Sequence, residues 1–412
     1  MSANVITVPP RSWPGRSLLA RRMTVPCPKV MTIFGTRPEA IKLAPVIQEL
    51  EKRPFTIQTI NVATSQHEEL LRPFVELFNI RVDYDLRAMR RNQTPDRLCS
   101  RLLSLLNPVL IKEDPDLVLV QGDTTTALSG ALAAYQHGIP IGHVEAGLRS
   151  GNTWSPYPEE INRRLITQLA TYHFAATTLN RASLLAEGVD EQAVFVTGNT
   201  VVDSLKSILA RGTHAPTVER ILNATSGLKR VVLTTHRRES FGQMMSENLS
   251  VLRHFVEAHA DVALIFPVHP NPVVVEAASV LNDHPRIHTI EPLGYEEFIQ
   301  LLSEAWLIVS DSGGVQEEAP TLGRPLLVLR ENTERPEAVA SGVARLVGGS
   351  PERLANLLEE AYREDSWANR IGEVSNPFGD GQSGRRISET ILEVLGAGKE
   401  TSVVAASALF SR

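Results

Sequence analysis

The feature that most limits how this chain can fold is an alternation of short apolar, β-rich runs with longer amphipathic stretches. "KVMTIF" is followed by a helical pattern over Pro38–Lys52, and "TIQTINVAT" by another over His67–Phe78. "DLVLVQ", a helix from Thr124, "PIGHVEA", a helix from Glu159, "HFAAT" and "VFVTGN" continue the series. Strands separated by helices pair in parallel, with the helices covering the sheet. The runs are apolar throughout, as strands buried on both faces should be. The pattern weakens between Asn199 and Lys229. It restarts at "RVVLTT" and proceeds through "DVALIFPV", "RIHTI", "AWLIVSD", "PLLVLR" and "ARLVG". The expected fold class is therefore α/β, with two doubly wound Rossmann-like domains facing a cleft. A length of 412 residues also exceeds what one core usually holds.

The expected boundaries are a first domain over 30–203 and a second over 204–375. A helical segment over 376–396 is expected to cross back to the first domain, and 397–412 reads as a flexible tail. Residues 1–29 are basic, free of acids and interrupted by prolines. They read as a disordered extension or an upstream start, with Met23 or Met31 as the functional beginning. The formal net charge of −6 gives no reason to expect nucleic acid as a partner. Cys27 and Cys99 make no disulfide framework and have no metal-ligand spacing, which fits the cytoplasm. No apolar run approaches the roughly 20 residues of a membrane helix.

Ligands of open α/β sheets bind beyond the carboxyl ends of the strands, so the residues just after each strand are the informative ones. In "FGTRPEAIK", Gly35 permits a tight turn, and Arg37 and Lys42 at a helix start can hold an anion. Asp123 follows "DLVLV" and is either a helix cap or a crevice acid. Glu145 ends the "PIGHVEA" strand, in a loop with Gly147 and Arg149. Glu159 and Glu160 open a helix, where the macrodipole favours acids, and Arg163 is spaced to pair with Glu159. His236, beside Arg237 and Arg238, ends the first strand of the second domain, and His269 ends the next. In "SDSGGVQEEAP", Ser312, Gly313 and Gly314 offer a hydroxyl and backbone N–H groups to a phosphate. Glu317 there reads as a first-turn dipole partner, and Glu318 lies a turn deeper. Arg335 precedes a further helix in "TERPEAV". There is no P-loop lysine and no GxGxxG, so no redox dinucleotide is implied. One half thus offers acids and the other phosphate-binding groups, a division that suits a nucleotide diphosphate sugar.

The ordered set "FGTRPEAIK", "SQHEELL", "GDTTT", "GHVEAGLRSG", "PEEINR", "GNTVVDSL", "HRRESFG", "PVHPNP", "SDSGGVQEEAP" and "TERPEAV" resembles the non-hydrolysing UDP-N-acetylglucosamine 2-epimerases. The resemblance runs from about Val30 to Arg386. It implies a glycosyltransferase-B type of fold and inversion at C2, interconverting UDP-N-acetylglucosamine and UDP-N-acetylmannosamine. The implied route is elimination of UDP to a glycal and re-addition, with no cofactor and no metal. By the same resemblance Asp123, Glu145, Glu159 and His236 are the catalytic candidates. Arg37, Lys42, Arg163, Ser312, Gly313, Gly314, Glu318 and Arg335 are substrate contacts, with Phe298 on the uracil side. Gln66, His67, Arg237 and His269 fall in motifs tied to a second UDP-N-acetylglucosamine acting as activator. Glu68 and Glu69 depart from the basic or amide residues often found there. A cytoplasmic homodimer serving cell-surface polysaccharide synthesis, with no nucleic acid or membrane partner, completes the expectation. The alternatives are a 2-epimerase for a related UDP-2-acetamido sugar, such as a 2,3-diacetamido uronic acid, and a non-catalytic UDP-sugar sensor.

Overall fold

The structure, a computed structural model, describes residues 27–65, 68–90, 93–235 and 242–396. They divide into two compact units. One holds the chain up to Ser204 together with the segment from Gly381, and the other runs from Leu205 to Asp380.

The first unit is built on a seven-stranded sheet of β1 (Lys29–Phe34), β2 (Gln58–Ala63), β3 (Tyr84–Asp85), β4 (Leu117–Gln121), β5 (Ile141–Ala146), β6 (Tyr172–Ala175) and β7 (Val194–Val196). Their order is β3-β2-β1-β4-β5-β6-β7, with every pairing parallel. The second unit carries β8 (Lys229–Thr234), β9 (Val262–Pro267), β10 (Ile287–Ile290), β11 (Leu307–Ser310), β12 (Leu326–Val328) and β13 (Ala344–Leu346), ordered β10-β9-β8-β11-β12-β13 and again parallel. Each sheet therefore reverses its strand order once, between β1 and β4 and between β8 and β11. Those two switch points are where an open α/β sheet leaves a crevice.

Burial follows the apolar runs. Met31, Ile33, Val118 and Val120 pack against Leu106 and Leu110 of helix Pro95–Glu113 and Ala131 and Ala134 of helix Thr125–Gln136. In the second unit Val231, Leu233, Leu264, Phe266 and Val309 pack with Leu249, Leu252, Leu354 and Leu358. Each such leucine or phenylalanine contributes about 1.5–3 kcal/mol by leaving water.

The C-terminal helix Ser383–Val394 packs on helix Arg37–Glu51 within the first unit. The contact depends on Gly384, because a Cβ there would lie 2.8 Å from the Cβ, carbonyl carbon and carbonyl oxygen of Pro45. Asp203 caps this helix by accepting from the N–H groups of Gly384 at 2.9 Å and Ser383 at 3.2 Å. Burial raises the Asp203 carboxyl above its usual range despite those bonds. Pro45 lies inside its helix and has no N–H to give to the carbonyl of Ile41. The buried Ser204 hydroxyl fills that place, donating to Ile41 O at 2.6 Å. Among the described residues no helix is long and apolar enough to cross a membrane.

Candidate active site

At the first switch point two turns meet, one after β1 and one after β4. Gly35 in the first can only be glycine, since a Cβ would stand 2.0 Å from Thr64 Oγ1 and 2.6 Å from Thr126 Oγ1. In the second, Thr124 caps helix Thr125–Gln136, its Oγ1 accepting from Ala127 N–H at 3.0 Å. Asp123 is thus not the cap, and its carboxylate has another use. Arg163 Nε and Nη2 donate to Asp123 Oδ2 at 2.7 and 2.6 Å, and Asn162 Nδ2 donates to the Asp123 carbonyl at 2.8 Å. The expected pairing of Arg163 with Glu159 is not what forms. Arg163 turns instead to Asp123 and to Glu160, 3.2 Å away. The reason is burial: Glu160 is fully enclosed and needs positive charge, which Arg163, Arg164 and the Ser150 N–H supply. Glu159, half-buried, begins the same helix, Glu159–Leu169.

Glu145 stands on the neighbouring strand in an uncommon conformation. Its φ is +65°, at the point where the β5–β6 register shifts between Val144 and Ala146. A left-handed residue other than glycine costs roughly 1–3 kcal/mol, and such strain gathers at functional sites. The bulge aims the carboxylate along the sheet edge, where it accepts from Lys42 Nζ and Gln121 Nε2. Lys42 is buried and paired with Glu145, so it stands beside one of the candidate acids. Arg37 remains exposed at the start of its helix, 5.8 Å from the Phe74 ring centre.

Two buried side chains fix these turns from below. Glu39 Oε2 accepts from the N–H groups of Gly35 at 2.9 Å and Thr36 at 2.7 Å, while Oε1 accepts from Thr124 Oγ1 at 2.6 Å. The anion at this helix start is therefore the chain's own Glu39. Burial pushes its carboxyl up to about 6, against the opposing pull of these donors. His143 bonds to the carbonyl of Gly122 through Nε2 at 2.8 Å. A carbonyl only accepts, so Nε2 carries the proton. Burial drives His143 down to about 3 and its β6 neighbour His173 down to about 4, and both rings stay neutral near pH 7.

The second switch point lies between the ends of β8 and β11. Fully buried Asp311 accepts from Thr235 Oγ1 at 2.8 Å, tying the two strand ends together. Beyond it come Ser312, Gly313 and Gly314, then helix Val315–Leu322. The Ser312 N–H is already bonded to Ser310 Oγ at 2.9 Å, leaving the Ser312 hydroxyl as the side chain suited to a ligand. A point one Cβ bond from Gly314 is 3.9 Å from Ser312 Oγ and 3.8 Å from Glu318 Oε1, so the hydroxyl and the carboxylate flank one small space. Tyr295 donates to Glu318 Oε1 at 3.0 Å, and half-buried Phe298 follows one turn along the same helix.

Glu317 and Arg335 form a buried ion pair. Glu317 lies in the first turn of its helix, as expected, but it is 2% exposed and accepts from Arg335 Nε at 2.7 Å. Arg335 Nη1 also reaches Glu334 at 3.1 Å, and Arg330 reaches the same carboxylate at 3.2 Å. Arg335 N–H further donates to Thr333 Oγ1, which donates to Gln316 Oε1, while Gln316 Nε2 holds the Ser312 carbonyl. Arg335, a substrate contact by the family resemblance, is thus also bonded to the residues that brace the Ser312 turn. His269 is exposed, its Nδ1 accepting from Asn271 N–H at 3.2 Å. Gln66, His67, His236 and Arg237 lie outside the described residues. Among the described residues no group of three His, Cys, Asp or Glu is placed to hold a metal ion.

Sequence reasoning passed over Glu39, His143, Asn162 and Tyr295. Only Glu39 carried a usable signal, the Thr-x-x-Glu spacing of a capping box.

A profile described as UDP-N-acetylglucosamine 2-epimerase matches residues 48–392. The chain belongs to that family. UDP-N-acetylglucosamine 2-epimerase from Bacillus subtilis (strain 168) is 43% identical over 373 residues, spanning 90% of this chain and 97% of its own. Among solved structures, UDP-GlcNAc 2-epimerase from Neisseria meningitidis, bound to UDP-GlcNAc, superposes with a TM-score of 0.82 at 40% identity, over 89% of this chain and 100% of its own. The Methanocaldococcus jannaschii UDP-GlcNAc 2-epimerase in complex with UDP-GlcNAc and UDP gives 0.74 at 38% identity, over 88% of this chain and 99% of its own. The two doubly wound parallel sheets are thus the glycosyltransferase-B type of fold met throughout this epimerase family.

Proposed function

We propose that this chain interconverts UDP-N-acetylglucosamine and UDP-N-acetylmannosamine by eliminating UDP and adding it back. The C2 hydrogen has no neighbouring carbonyl and is not acidic in the ground state. Breaking the C1–O bond builds positive charge at C1 and acidifies C2–H. A base then takes the C2 proton, the C–H pair becomes the C1=C2 bond, and the C1–O pair leaves with UDP. Protonation of C2 on the opposite face, with return of UDP to C1, completes the inversion. Two acid/base groups are needed, one for each face.

The observation that carries this reading is the acid cluster of the first unit. Asp123, Glu145 and Glu159 come from adjoining strand ends and from the helix that grips Asp123. Asp123, Glu145 and Glu159 are the candidates for proton transfer. In the first unit Arg37 is the candidate contact for the leaving diphosphate, on which negative charge develops. In the second unit the Ser312 hydroxyl and the Gly313–Gly314 backbone are the candidate phosphate binders. Glu318 suits ribose hydroxyls, with Phe298 beside the base. The same family reading includes a cytoplasmic homodimer and a second UDP-N-acetylglucosamine as activator, for which exposed His269 is the described candidate.

The test is isotopic. With ¹⁸O placed in the bridge between C1 and the β-phosphorus, turnover should scramble the label into the non-bridging β-phosphate positions. Scrambling requires the C1–O bond to break and the freed β-phosphate to turn. Epimerisation with neither scrambling nor solvent deuterium at C2 in D₂O would sink the elimination route.

A further inference from the structure

Asp123 stands on a turn held from several sides. His143 holds the carbonyl of Gly122, Asn162 that of Asp123, and Arg163 its carboxylate. The fourth hold is the bond from Thr124 Oγ1 to Glu39, and it alone leads on to the other turn of the switch point. Glu39 is fully buried, and a buried carboxylate is costly to keep charged. Its partners nevertheless require the charge. The N–H groups of Gly35 and Thr36 can only donate. The Thr124 oxygen already accepts from Ala127 N–H, so its own proton is the one directed at Glu39. Three donors converge on two oxygens, an arrangement a protonated carboxyl satisfies poorly.

We propose that Glu39 is a positioning residue, whose ionised carboxylate clamps the turn bearing Asp123 to the turn bearing Arg37. The group assigned to the proton and the group assigned to the leaving diphosphate then keep a fixed separation. Elimination draws on both at once, and a displacement of about 1 Å costs on the order of 100-fold in rate. The kinetic consequence rests on the epimerisation proposed above; the structural consequence does not.

Amide hydrogen exchange on the full chain reads the clamp directly. Thr124→Val should speed exchange at Gly35 and Thr36 about tenfold, a loss of about 1.4 kcal/mol of protection, although Thr124 bonds to neither amide. Thr124→Ser keeps the hydroxyl and should restore the slow rate. Unchanged exchange at Gly35 and Thr36 in Thr124→Val overturns the clamp, whatever the substrate. In turnover of UDP-N-acetylglucosamine, Glu39→Gln should lower kcat by roughly 10- to 100-fold with KM within about threefold, because the contacts to the nucleotide are untouched. Thr124→Ser should keep the wild-type kcat. A Glu39→Gln protein with wild-type kcat also overturns the proposal. If Glu39→Gln fails to fold, the Thr124 pair still decides. A wild-type enzyme inert towards this substrate counts against the epimerase reading, and the exchange measurement still judges the clamp.

Discussion

Replacing Arg335 with alanine separates two roles that predict different losses. In the structure Arg335 is 12% exposed at its side chain and lies between Glu317, 2% exposed, and Glu334, 6% exposed. Removing one partner of a buried ion pair costs about 3–5 kcal/mol, because the other charge stays behind without compensation. Arg330 still neutralises Glu334 at 3.2 Å, so the loss falls mainly on Glu317, and the lower end, about 3 kcal/mol, is expected. With a urea slope of about 1–3 kcal/mol/M, the unfolding midpoint should fall by roughly 1–3 M. Adding Glu317→Gln to the alanine variant removes the stranded charge. The double variant should therefore be more stable than the sum of the single losses predicts, by about 1 kcal/mol or more. KM for the UDP-sugar should rise only as far as the Ser312 turn loosens. An alanine variant of wild-type stability with a steep rise in KM would show that Arg335 meets the phosphates directly, and the bracing role would be wrong.

Gly384→Ala forces a methyl group against Pro45 and should cost about 1–3 kcal/mol, seen as a lower Tm; an unchanged Tm would mean the helix is not seated there. Ser204→Ala leaves the Ile41 carbonyl unpaired beside Pro45 and should cost about 1–3 kcal/mol by urea unfolding, whereas no loss would show that another donor serves it. Acid should weaken the fold. His143 and His173 are held near 3 and 4, below the ordinary 6.5, so the unfolded chain takes up protons that the folded chain refuses. Their stabilisation is present above pH 6.5 and drains as pH falls, by about 3 kcal/mol for the pair between about pH 7.5 and 5.5. Glu39, raised from 4.5 to about 6, acts oppositely, since its folded form binds the proton first, and it returns about 1 kcal/mol. A net loss of about 2 kcal/mol is expected from urea titrations at the two pH values, and a flat profile would contradict it.

The fold was readable because its signal is repeated. Each apolar run between helical stretches supplies one parallel strand, and the restart at "RVVLTT" supplies the second sheet. The edge strand Tyr84–Asp85 left no such mark: it is two residues long, polar at one of them, and exists by pairing with β2. The residues that follow the strands were also legible as candidates. What they could not reveal is which groups neutralise one another there. Lys42 and Arg335 read as contacts for an anionic substrate and Glu317 as a dipole partner, but the fold also buries them in pairs whose partners are 103 and 18 residues apart in sequence. The left-handed backbone of Glu145 was equally hidden, because the bulge depends on β5 meeting β6 with a shifted register. Local sequence carries propensity; long-range partners decide charge and strain.

By the function proposed above, this protein breaks and remakes the C2–H bond of UDP-N-acetylglucosamine with the candidate acids of the first switch point. Incubation with that sugar nucleotide in D₂O, followed at C2 by NMR, tests it most directly. The wild-type protein should place deuterium at C2 and form the manno product, while Asp123→Asn should still bind UDP and exchange nothing. A wild-type protein that leaves C2 protonated, or an Asp123→Asn protein that exchanges at the wild-type rate, would contradict the account.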